Sequence, residues 1–409
     1  MKCSHTSSTV SGQSHVSNQD AFVVDEALGA YLVCDGIGGH RGGDIAAQTA
    51  CAAALEHLQK NSAIIEAAKV AGSSIEPLSE LCTTAVLAAN ERVYRRSKAD
   101  QAVSGMGTTI AMLVIAGGRG VVAHAGSSRV YVCRNGELIQ LTKDHKLAQE
   151  LIDRGLLTEQ KAASLPYARA LSKAVGLLEA ITPDCLSLDV LPGDRFLIVT
   201  DGVTQALPKD ELRQIVAGPG GGSSASTIIK TAADRGGSDD ATAIVVVPAA
   251  EPQESAEQLA RSEQVVLKTE LLQEMFLFKP LASSDIMEIV GQSELVPSKT
   301  GDVLFAQGSV EQNIYIILEG TFNVVVDGTV VAKLAKGSHF GEMSWLSHEA
   351  RSATVRCAVD GTLLKVSALF LQSFILKSPE CGVRILRELA RELSSRLRAT
   401  NALALVRAN

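Results

Sequence analysis

Residues 30–40 read AYLVCDGIGGH, an apolar run that ends in Asp35 and breaks at glycine. Three further aspartates share this position at the edge of a strand-like run: Asp20, Asp201 and Asp239. A single aspartate of this kind is most simply a turn residue, because Asp and Asp-Gly commonly break strands. Four at matching positions indicate instead that carboxylates gather at strand ends.

Carboxylates that converge at one end of a sheet repel one another unless a hard cation lies between them. Mg²⁺ and Mn²⁺ prefer such oxygen ligands in proteins and retain several bound waters. The four strand-edge aspartates therefore predict a divalent metal centre in the first part of the chain.

The first part of the chain alternates alanine-rich helical stretches with short β-rich runs. Apolar residues at helical spacing predict helices over 45–59 and 78–97. Four runs are typical of strands: 109–115, 121–125, 129–133 and 137–141. Asn135-Gly136 between the last two predicts a two-residue hairpin. These alternating elements predict a layered α+β fold.

Residues 248–264, PAAEPQESAEQLARSEQ, divide the chain. Their composition predicts a linker between a domain at 1–247 and a domain at 265–409, although a helical connector is equally compatible with the second half. The later domain shows short strands separated by glycine turns, which predicts a β-roll or barrel. Its end, 381–399, predicts a helix that packs its apolar stripe on its own domain.

Composition excludes several classes of protein. At roughly 150 residues per domain, 409 residues predict two or three folded domains. A net charge of −7 and an aromatic content of 4% give no basic surface and few stacking platforms, which disfavours nucleic acid and anionic lipid as partners. Eight singly scattered cysteines favour the reducing cytosol, and we find no secretory signal or spanning segment. These features predict a cytoplasmic protein that does not engage membranes.

An ordered set of motifs across nearly all of 1–247 resembles the metal-dependent Ser/Thr protein phosphatases of the 2C type. The motifs are Asn18-Gln-Asp20, Asp35-Gly-Ile-Gly-Gly-His40, Gly105-Met-Gly-Thr-Thr109, Gly126-Ser-Ser-Arg129, Leu141-Thr-Lys-Asp-His145, Gly193-Asp-Arg-Phe-Leu197, Thr200-Asp-Gly202 and Gly237-Ser-Asp-Asp240. The resemblance implies a sandwich of two antiparallel sheets flanked by helices. It also implies hydrolysis of phosphoserine or phosphothreonine esters in protein substrates.

By this resemblance, Asp35, Asp201 and Asp239 hold one Mn²⁺ or Mg²⁺ ion, and Asp35 with the Gly36 carbonyl holds a second. Asp20 acts on the metal site from outside the shell of direct ligands. Two such ions share a water, lower its pKa and stabilise both oxygens of an in-line displacement. For His40 two roles stay open, proton donation to the leaving alkoxide and a plain loop position.

Four positions depart from the family pattern. His15 stands where the family usually has a phosphate-gripping Arg, and Ser127 replaces an aspartate that helps to bind a third metal in bacterial members. Gln19 replaces Glu, and Asp240 replaces the Asn that usually follows the ligand aspartate. The first two changes imply altered phosphate and metal handling. His124, at the end of an apolar strand, is interpreted as a buried structural histidine.

The segment from about 270 to 400 resembles a cyclic nucleotide-binding domain. The resemblance is carried by Gly301-Asp-Val-Leu-Phe305, Gln307-Gly308, Tyr315-Ile-Ile-Leu-Glu-Gly320, Phe340-Gly-Glu-Met-Ser-Trp-Leu346 and Arg351-Ser-Ala-Thr354. It implies that Glu342 accepts the ribose 2′-hydroxyl and that Arg351 binds the cyclic phosphate, with Gly341 and Ser352 adding hydrogen bonds. Ser352 permits either base, and cAMP is favoured over cGMP.

Together the two resemblances predict a protein phosphatase whose activity or targeting is governed by a cyclic nucleotide. The main rival is a cyclic nucleotide sensor in which the phosphatase domain is a degraded scaffold. His15 and Ser127 favour the rival, whereas the four retained aspartates favour an active enzyme. A constitutive phosphatase with a vestigial nucleotide domain is disfavoured by Glu342 and Arg351.

Overall fold

The computed structural model forms two compact units, Met1–Ser262 and Glu263–Asn409. It describes residues 2–14, 17–37, 42–70, 72–153, 157–158, 161, 170–218, 224–249, 265–266, 268–269, 272, 278 and 281–408, the side chains of 395–396 and 399–408 excepted. Most of the predicted linker at 248–264 lies outside these residues, and so do His15 and His40. The domain limits of 1–247 and 265–409 therefore stay predictions.

Two five-stranded antiparallel sheets form the centre of the first unit. One runs in the order β2 (Asp20–Asp25), β3 (Ala30–Asp35), β4 (Ile110–Ala116), β5 (Arg119–Ala125) and β8 (Asp184–Asp189). The other runs in the order β1 (Cys3–Val10), β10 (Ala241–Pro248), β9 (Arg195–Val199), β6 (Arg129–Arg134) and β7 (Glu137–Gln140). β4 packs against β6 and β9, so the two sheets lie face to face.

Helices cover the outer faces of both sheets. The first sheet is covered by α1 (Gly43–Lys60), α2 (Ser62–Ala68) and α3 (Glu76–Ala99), and the second by α5 (Asp201–Ala206), α6 (Lys209–Ala217) and α7 (Ser224–Asp234). A short helix, α4 (Leu147–Asp153), follows β7. Leu32 and Met112 pack against α1 and α3, because side chains alternate between the two faces of each strand. The predicted α-β-β-α sandwich is confirmed.

The hairpin between β6 and β7 confirms the Asn135-Gly136 prediction. Arg134 pairs with Glu137, which leaves a two-residue loop. Asn135 has φ of 52° and Gly136 has φ of 77°. Positive φ at both loop positions is the geometry that twists with the flanking strands and that Asn-Gly tolerates best.

The second unit is a β-roll with flanking helices, as predicted. Its strands are β11 (Ser293–Ser298), β12 (Val303–Phe305), β13 (Ile314–Val326), β14 (Thr329–Ala335), β15 (His339–Phe340) and β16 (Thr354–Val366). Its helices are α8 (Ser283–Gly291), α9 (Glu342–Ser347), α10 (Ala368–Lys377) and α11 (Pro379–Ala408). Aromatic rings of Phe305, Tyr315 and Phe340 meet in the core, with centroids 5.4 to 5.9 Å apart.

The final helix is longer than the sequence predicts, and only part of its apolar stripe is buried. Ile385 and Leu389 are buried, whereas Leu386 and Leu397 are exposed. The predicted helix is confirmed, but its apolar stripe packs on the domain only in part. In the described part of the chain, no helix combines the length and apolar character needed to cross a bilayer.

Candidate metal centre and nucleotide pocket

Two of the predicted carboxylates come from one β-hairpin of the first sheet. Asp20 is the first residue of β2, Asp35 is the last residue of β3, and the two are register partners. Because antiparallel neighbours begin and end at the same edge, both carboxylates lie at one end of the sheet. The buried apolar run 30–34 fixes this register, since a one-residue slip would turn its side chains to the opposite face.

The other two carboxylates come from adjacent strands of the second sheet. Asp201 begins α5 directly after β9, and Asp239 lies just before β10. Gln205, one turn along α5, links them: its Nε2 donates to Asp201 Oδ1 at 2.8 Å and lies 3.3 Å from Asp239 Oδ2. The amide therefore holds the two acidic side chains next to each other.

Two hydroxyls connect the sheets at Asp20. Thr200 and Thr242 donate from Oγ1 to Asp20 Oδ2 at 2.8 and 2.6 Å. The other oxygen, Oδ1, is buried and has no hydrogen-bond partner among the described residues. A buried carboxylate oxygen without a donor is costly unless a cation or water binds it, so Oδ1 marks a position for such a group.

The electrostatics of this cluster favour a cation. Burial raises the pKa of Asp20 to about 7, and the hydroxyls of Thr242 and Thr200 oppose that shift. Burial and three neighbouring aspartate charges hold the pKa of Asp35 well above its usual range. The pKa of Asp201 is raised by burial. A bound divalent ion reverses this balance, because it stabilises the ionised forms.

The donor set fits Mn²⁺ or Mg²⁺, because every side-chain ligand is a carboxylate oxygen. Gly36, which follows Asp35, is closely packed. A Cβ at this position would lie 2.3 Å from the Gly43 carbonyl oxygen. Only glycine therefore fits at the position that follows Asp35. Asp20, Asp35, Asp201 and Asp239 are brought together as expected, whereas His40 lies outside the described residues.

Two departures from the family pattern have visible contacts. Ser127 Oγ donates to Asp201 Oδ2 at 3.3 Å. Asp240 is buried, and its two oxygens accept the backbone N–H groups of Gly12 and Gln19 at 2.8 and 2.7 Å. Asp240 therefore fixes the ends of the segment that contains His15, a contact that sequence reasoning missed.

Two histidines beside the centre are buried. The rings of His124 and His145 stack with centroids 4.6 Å apart, and burial together with His145 lowers the pKa of His124 to about 4. His145 accepts the Gly126 N–H through Nδ1 at 3.0 Å, so its proton is on Nε2, 3.2 Å from Asp184 Oδ2. The three side chains approach as metal ligands would, but this arrangement leaves His145 no lone pair for an ion.

In the second unit, Arg351 is buried beneath the predicted nucleotide pocket. Its guanidinium donates to the carbonyl oxygens of Gly341 at 2.9 Å and Asn313 at 2.8 Å. The same group lies 3.9 Å above the Phe305 ring. Arg351 Nε is buried without a hydrogen-bond partner among the described residues. Burial lowers the pKa of Arg351, and the charges of Glu311, Tyr315 and Glu342 oppose the shift.

The other predicted pocket residues lie around this arginine. Glu342 begins α9 and is only 3% exposed. Gly341 precedes it with φ of 95°, and a Cβ there would lie 2.7 Å from an Arg351 guanidinium nitrogen. Ser352 is exposed, with its hydroxyl 3.8 Å from Met343 Sδ. The structure therefore groups Gly341, Glu342 and Arg351 tightly and leaves Ser352 at the surface.

Comparison with known proteins assigns both units. The profile of the protein phosphatase 2C family matches residues 11–219, and that of the cyclic nucleotide-binding domain matches residues 295–378. Protein phosphatase PhpP of Streptococcus pneumoniae is 30% identical over 208 residues, which cover 50% of this chain and 80% of PhpP. Serine/threonine phosphatase stp of Listeria monocytogenes is 29% identical over 45% of this chain and 70% of its own.

Solved structures give the same assignment for the first unit. The Mycobacterium tuberculosis serine/threonine phosphatase PstP/Ppp superposes with a TM-score of 0.53 at 28% identity, covering 60% of this chain and 99% of that chain. The catalytic domain of PstP in complex with two manganese ions superposes with a TM-score of 0.51 at 27% identity, over 60% and 98% of the two chains.

The fold of the first unit is that of a metal-dependent protein serine/threonine phosphatase. The chain belongs to the protein phosphatase 2C family and carries a cyclic nucleotide-binding domain at its C-terminal side.

Proposed function

We propose that the first unit hydrolyses phosphoserine and phosphothreonine in protein substrates with a metal-activated water. The observation that carries this proposal is the convergence of four aspartates from two sheets, with Asp20 Oδ1 buried and unsatisfied. Such a cluster is costly to maintain for stability alone, because each buried carboxylate resists ionisation.

The proposed ligands follow the geometry. Asp35, Asp201 and Asp239 would hold one divalent ion, and Asp35 with the Gly36 carbonyl would hold a second. Bound ions supply a water of lowered pKa and stabilise negative charge on the phosphoryl group. Gln205 keeps the Asp201 and Asp239 side chains together at the site.

Asp20 acts as an orienting group in this proposal. Its Oδ2 is fixed by two threonine hydroxyls, which leaves Oδ1 directed to accept a hydrogen bond or a cation. His40 is proposed as the proton donor to the leaving alkoxide, with a plain loop role as the alternative. A His40→Ala variant separates the two, because a proton donor acts in its protonated form and only its loss removes the fall in rate on the alkaline limb of the pH–rate profile.

Hydrolysis of a phosphothreonine peptide by the full chain with Mn²⁺ tests the phosphatase proposal. Asp35→Asn removes a ligand shared by both proposed ions and is expected to abolish turnover. Asp25→Asn is the matched control, because Asp25 ends the same hairpin at the opposite edge and contacts the Leu28 N–H and Gln59. Near-normal turnover by Asp35→Asn would overturn the metal assignment.

The second unit is proposed to bind a cyclic nucleotide, with cAMP favoured. Arg351 would bind the cyclic phosphate, and its buried, unsatisfied Nε supports an anion at this position. Glu342 would accept the ribose 2′-hydroxyl, while Gly341 and Ser352 would add hydrogen bonds. Because Ser352 is exposed, the contact with its hydroxyl would form at the mouth of the pocket.

Titration with fluorescent cAMP and competition with cGMP test this pocket. Arg351→Gln is expected to remove binding of both nucleotides, whereas Arg356→Gln, an exposed arginine of β16, is expected to leave it unchanged. Unaltered affinity of Arg351→Gln would refute the pocket, and tighter binding of cGMP than cAMP would refute the preference.

We expect nucleotide binding to change phosphatase activity, and the measurement shows whether it activates or inhibits. A second function, a nucleotide sensor without turnover, is favoured by Ser127, which gives Asp201 a neutral hydroxyl where the family has a carboxylate. The two functions separate in one assay. Metal-dependent turnover that shifts with cAMP supports the regulated enzyme, whereas cAMP binding without turnover above Asp35→Asn supports the sensor.

A further inference from the structure

A cationic cluster lies beside the Asp201 edge of the carboxylate centre. Arg129 donates from Nε and one terminal nitrogen to the two oxygens of Asp144 at 2.7 and 2.8 Å, and Lys146 Nζ lies 2.9 Å from Asp144 Oδ2. Two cations thus share one carboxylate, which leaves one net positive charge. The side chains of Arg129 and Lys146 are 26% and 21% exposed, so the charge is only partly screened by solvent.

Backbone hydrogen bonds fix this cluster relative to the metal centre. Gly126 donates its N–H to the His145 ring and accepts the His145 N–H, both at 3.0 Å. These bonds hold the loop 126–129 alongside residues 144–146. Ser127, on that loop, donates to Asp201. Lys146 directly follows His145, so the same hydrogen bonds hold it alongside the loop whose Ser127 contacts Asp201.

We propose that Lys146 supplies a fixed positive charge at the Asp201 edge of the centre, which weakens divalent-cation binding there and strengthens binding of a phosphate dianion. This inference rests on the proposed metal site and adds a residue to it. Lys146 does not need to touch a metal ligand, since a unit charge acts over several ångströms in a partly buried setting.

Charge balance gives the reason. Ser127 presents only a neutral hydroxyl to Asp201, so this edge carries too little negative charge to bind a further cation. The ammonium of Lys146 repels such a cation and attracts an anion. A phosphate bound at the centre would then meet a permanent cation on this side, independent of the metal supply. The other lysine of this segment, Lys143, is exposed and supplies its backbone carbonyl to His124.

The test uses the full chain and two calorimetric titrations that do not depend on turnover. Mn²⁺ is titrated into metal-free protein, and inorganic phosphate is titrated into Mn²⁺-loaded protein. For Lys146→Met we expect Mn²⁺ affinity to rise and phosphate affinity to fall, each on the order of tenfold. Lys146→Arg, which keeps the charge, and Lys143→Met, the matched control, should behave as wild type.

Opposite changes in the two affinities are a signature that a structural role would not produce. Equal losses of both affinities, or no change in either, would overturn the proposal. If Lys146→Met does not fold, as judged by circular dichroism, Lys146→Gln takes its place. Asp35→Asn distinguishes failure of this proposal from failure of the proposed metal site. If Asp35→Asn loses Mn²⁺ binding while Lys146→Met changes neither affinity, the metal site is retained and the role of Lys146 is rejected. Absence of Mn²⁺ binding in wild type rejects both.

Discussion

Asp240 accepts the backbone N–H of Gln19 at 2.7 Å through one oxygen, and its other oxygen accepts that of Gly12 at 2.8 Å. Both of these backbone groups are donors. A carboxylate satisfies both, whereas an asparagine amide would direct its NH₂ group at one of them. This contact explains why aspartate is tolerated where the family usually has asparagine.

Asp240→Asn is accordingly expected to destabilise the first unit by about 1–3 kcal/mol, because a buried N–H loses its acceptor. Chemical denaturation at neutral pH with EDTA measures the free energy of unfolding. Asp210→Asn, at the exposed start of α6, is the control and should be nearly neutral. Equal stability of Asp240→Asn and wild type would show that the two hydrogen bonds are not needed.

The ionisation of Asp20 makes the stability of the metal-free protein depend on pH, in a direction that the pKa of Asp20 sets. Its pKa is raised to about 7 by burial, whereas in the unfolded chain an aspartate titrates near its ordinary value of 3.8. The folded state therefore binds the extra proton between these values, so this contribution to stability is present at low pH and is lost as pH rises to about 7.

Asp20→Asn removes this titration. Relative to wild type, the variant should gain stability between pH 5 and pH 8 in EDTA, by on the order of a few kcal/mol. Comparing the two proteins at each pH cancels the contribution of His124 to stability. The pKa of His124 is lowered, so that contribution changes with pH in the opposite direction. Denaturant midpoints provide the measurement. A constant difference across this range would contradict the raised pKa of Asp20.

Gly202 is required by the approach of two chain segments at the centre. A Cβ at this position would lie 2.1 Å from the Asp240 carbonyl oxygen. Gly202→Ala should therefore displace Asp201 and Asp239 from each other and lower kcat by at least about tenfold, since small displacements of a catalytic group are costly. Gly218→Ala, where the nearest atom would be 3.2 Å away, is the control. Unchanged turnover of Gly202→Ala would show that the segments separate without cost.

Local patterns in the sequence predicted a layered α+β fold and the four strand-edge aspartates, whereas the sandwich of two sheets was implied by the family resemblance. Alternating apolar runs define strands, and an aspartate at a strand edge defines where a carboxylate lies. The contacts of Asp240 could not be predicted, because Gly12 lies 228 positions away and the choice between carboxylate and amide depends on which backbone groups meet it. Thr200 and Thr242 were missed for the same reason, although Thr200 directly precedes Asp201.

The nucleotide pocket shows the same limit. Glu342 and Arg351 were found from a short motif, but the hydrogen bonds of Arg351 to the Gly341 and Asn313 carbonyls depend on the folded β-roll. A nucleotide phosphate has to compete with these carbonyls or use the remaining Nε. The position of the Gly341 carbonyl therefore controls how the Arg351 guanidinium is oriented toward a bound phosphate.

Gly341 and Gly337 allow this control to be measured. Both have positive φ, 95° and 84°, so alanine costs backbone strain at either site, about 1 kcal/mol. A Cβ at Gly341 would also lie 2.6 Å from the Asn313 carbonyl oxygen and 2.7 Å from an Arg351 guanidinium nitrogen, whereas a Cβ at Gly337 meets nothing within 4 Å. Gly341→Ala should therefore weaken cAMP binding by about tenfold or more, and Gly337→Ala should lower only stability.

Fluorescence titration with cAMP and thermal melts of both variants separate the two effects. The expected result is a lower melting temperature for Gly341→Ala than for Gly337→Ala, with nucleotide affinity reduced in Gly341→Ala alone. Because the backbone strain at positive φ is matched, any difference in affinity reports the crowding of the Asn313 carbonyl and of the Arg351 guanidinium that binds it. Equal cAMP affinity in the two variants would mean that the guanidinium adjusts freely, and the contact with the Gly341 carbonyl would then have no part in presenting Arg351 to the phosphate.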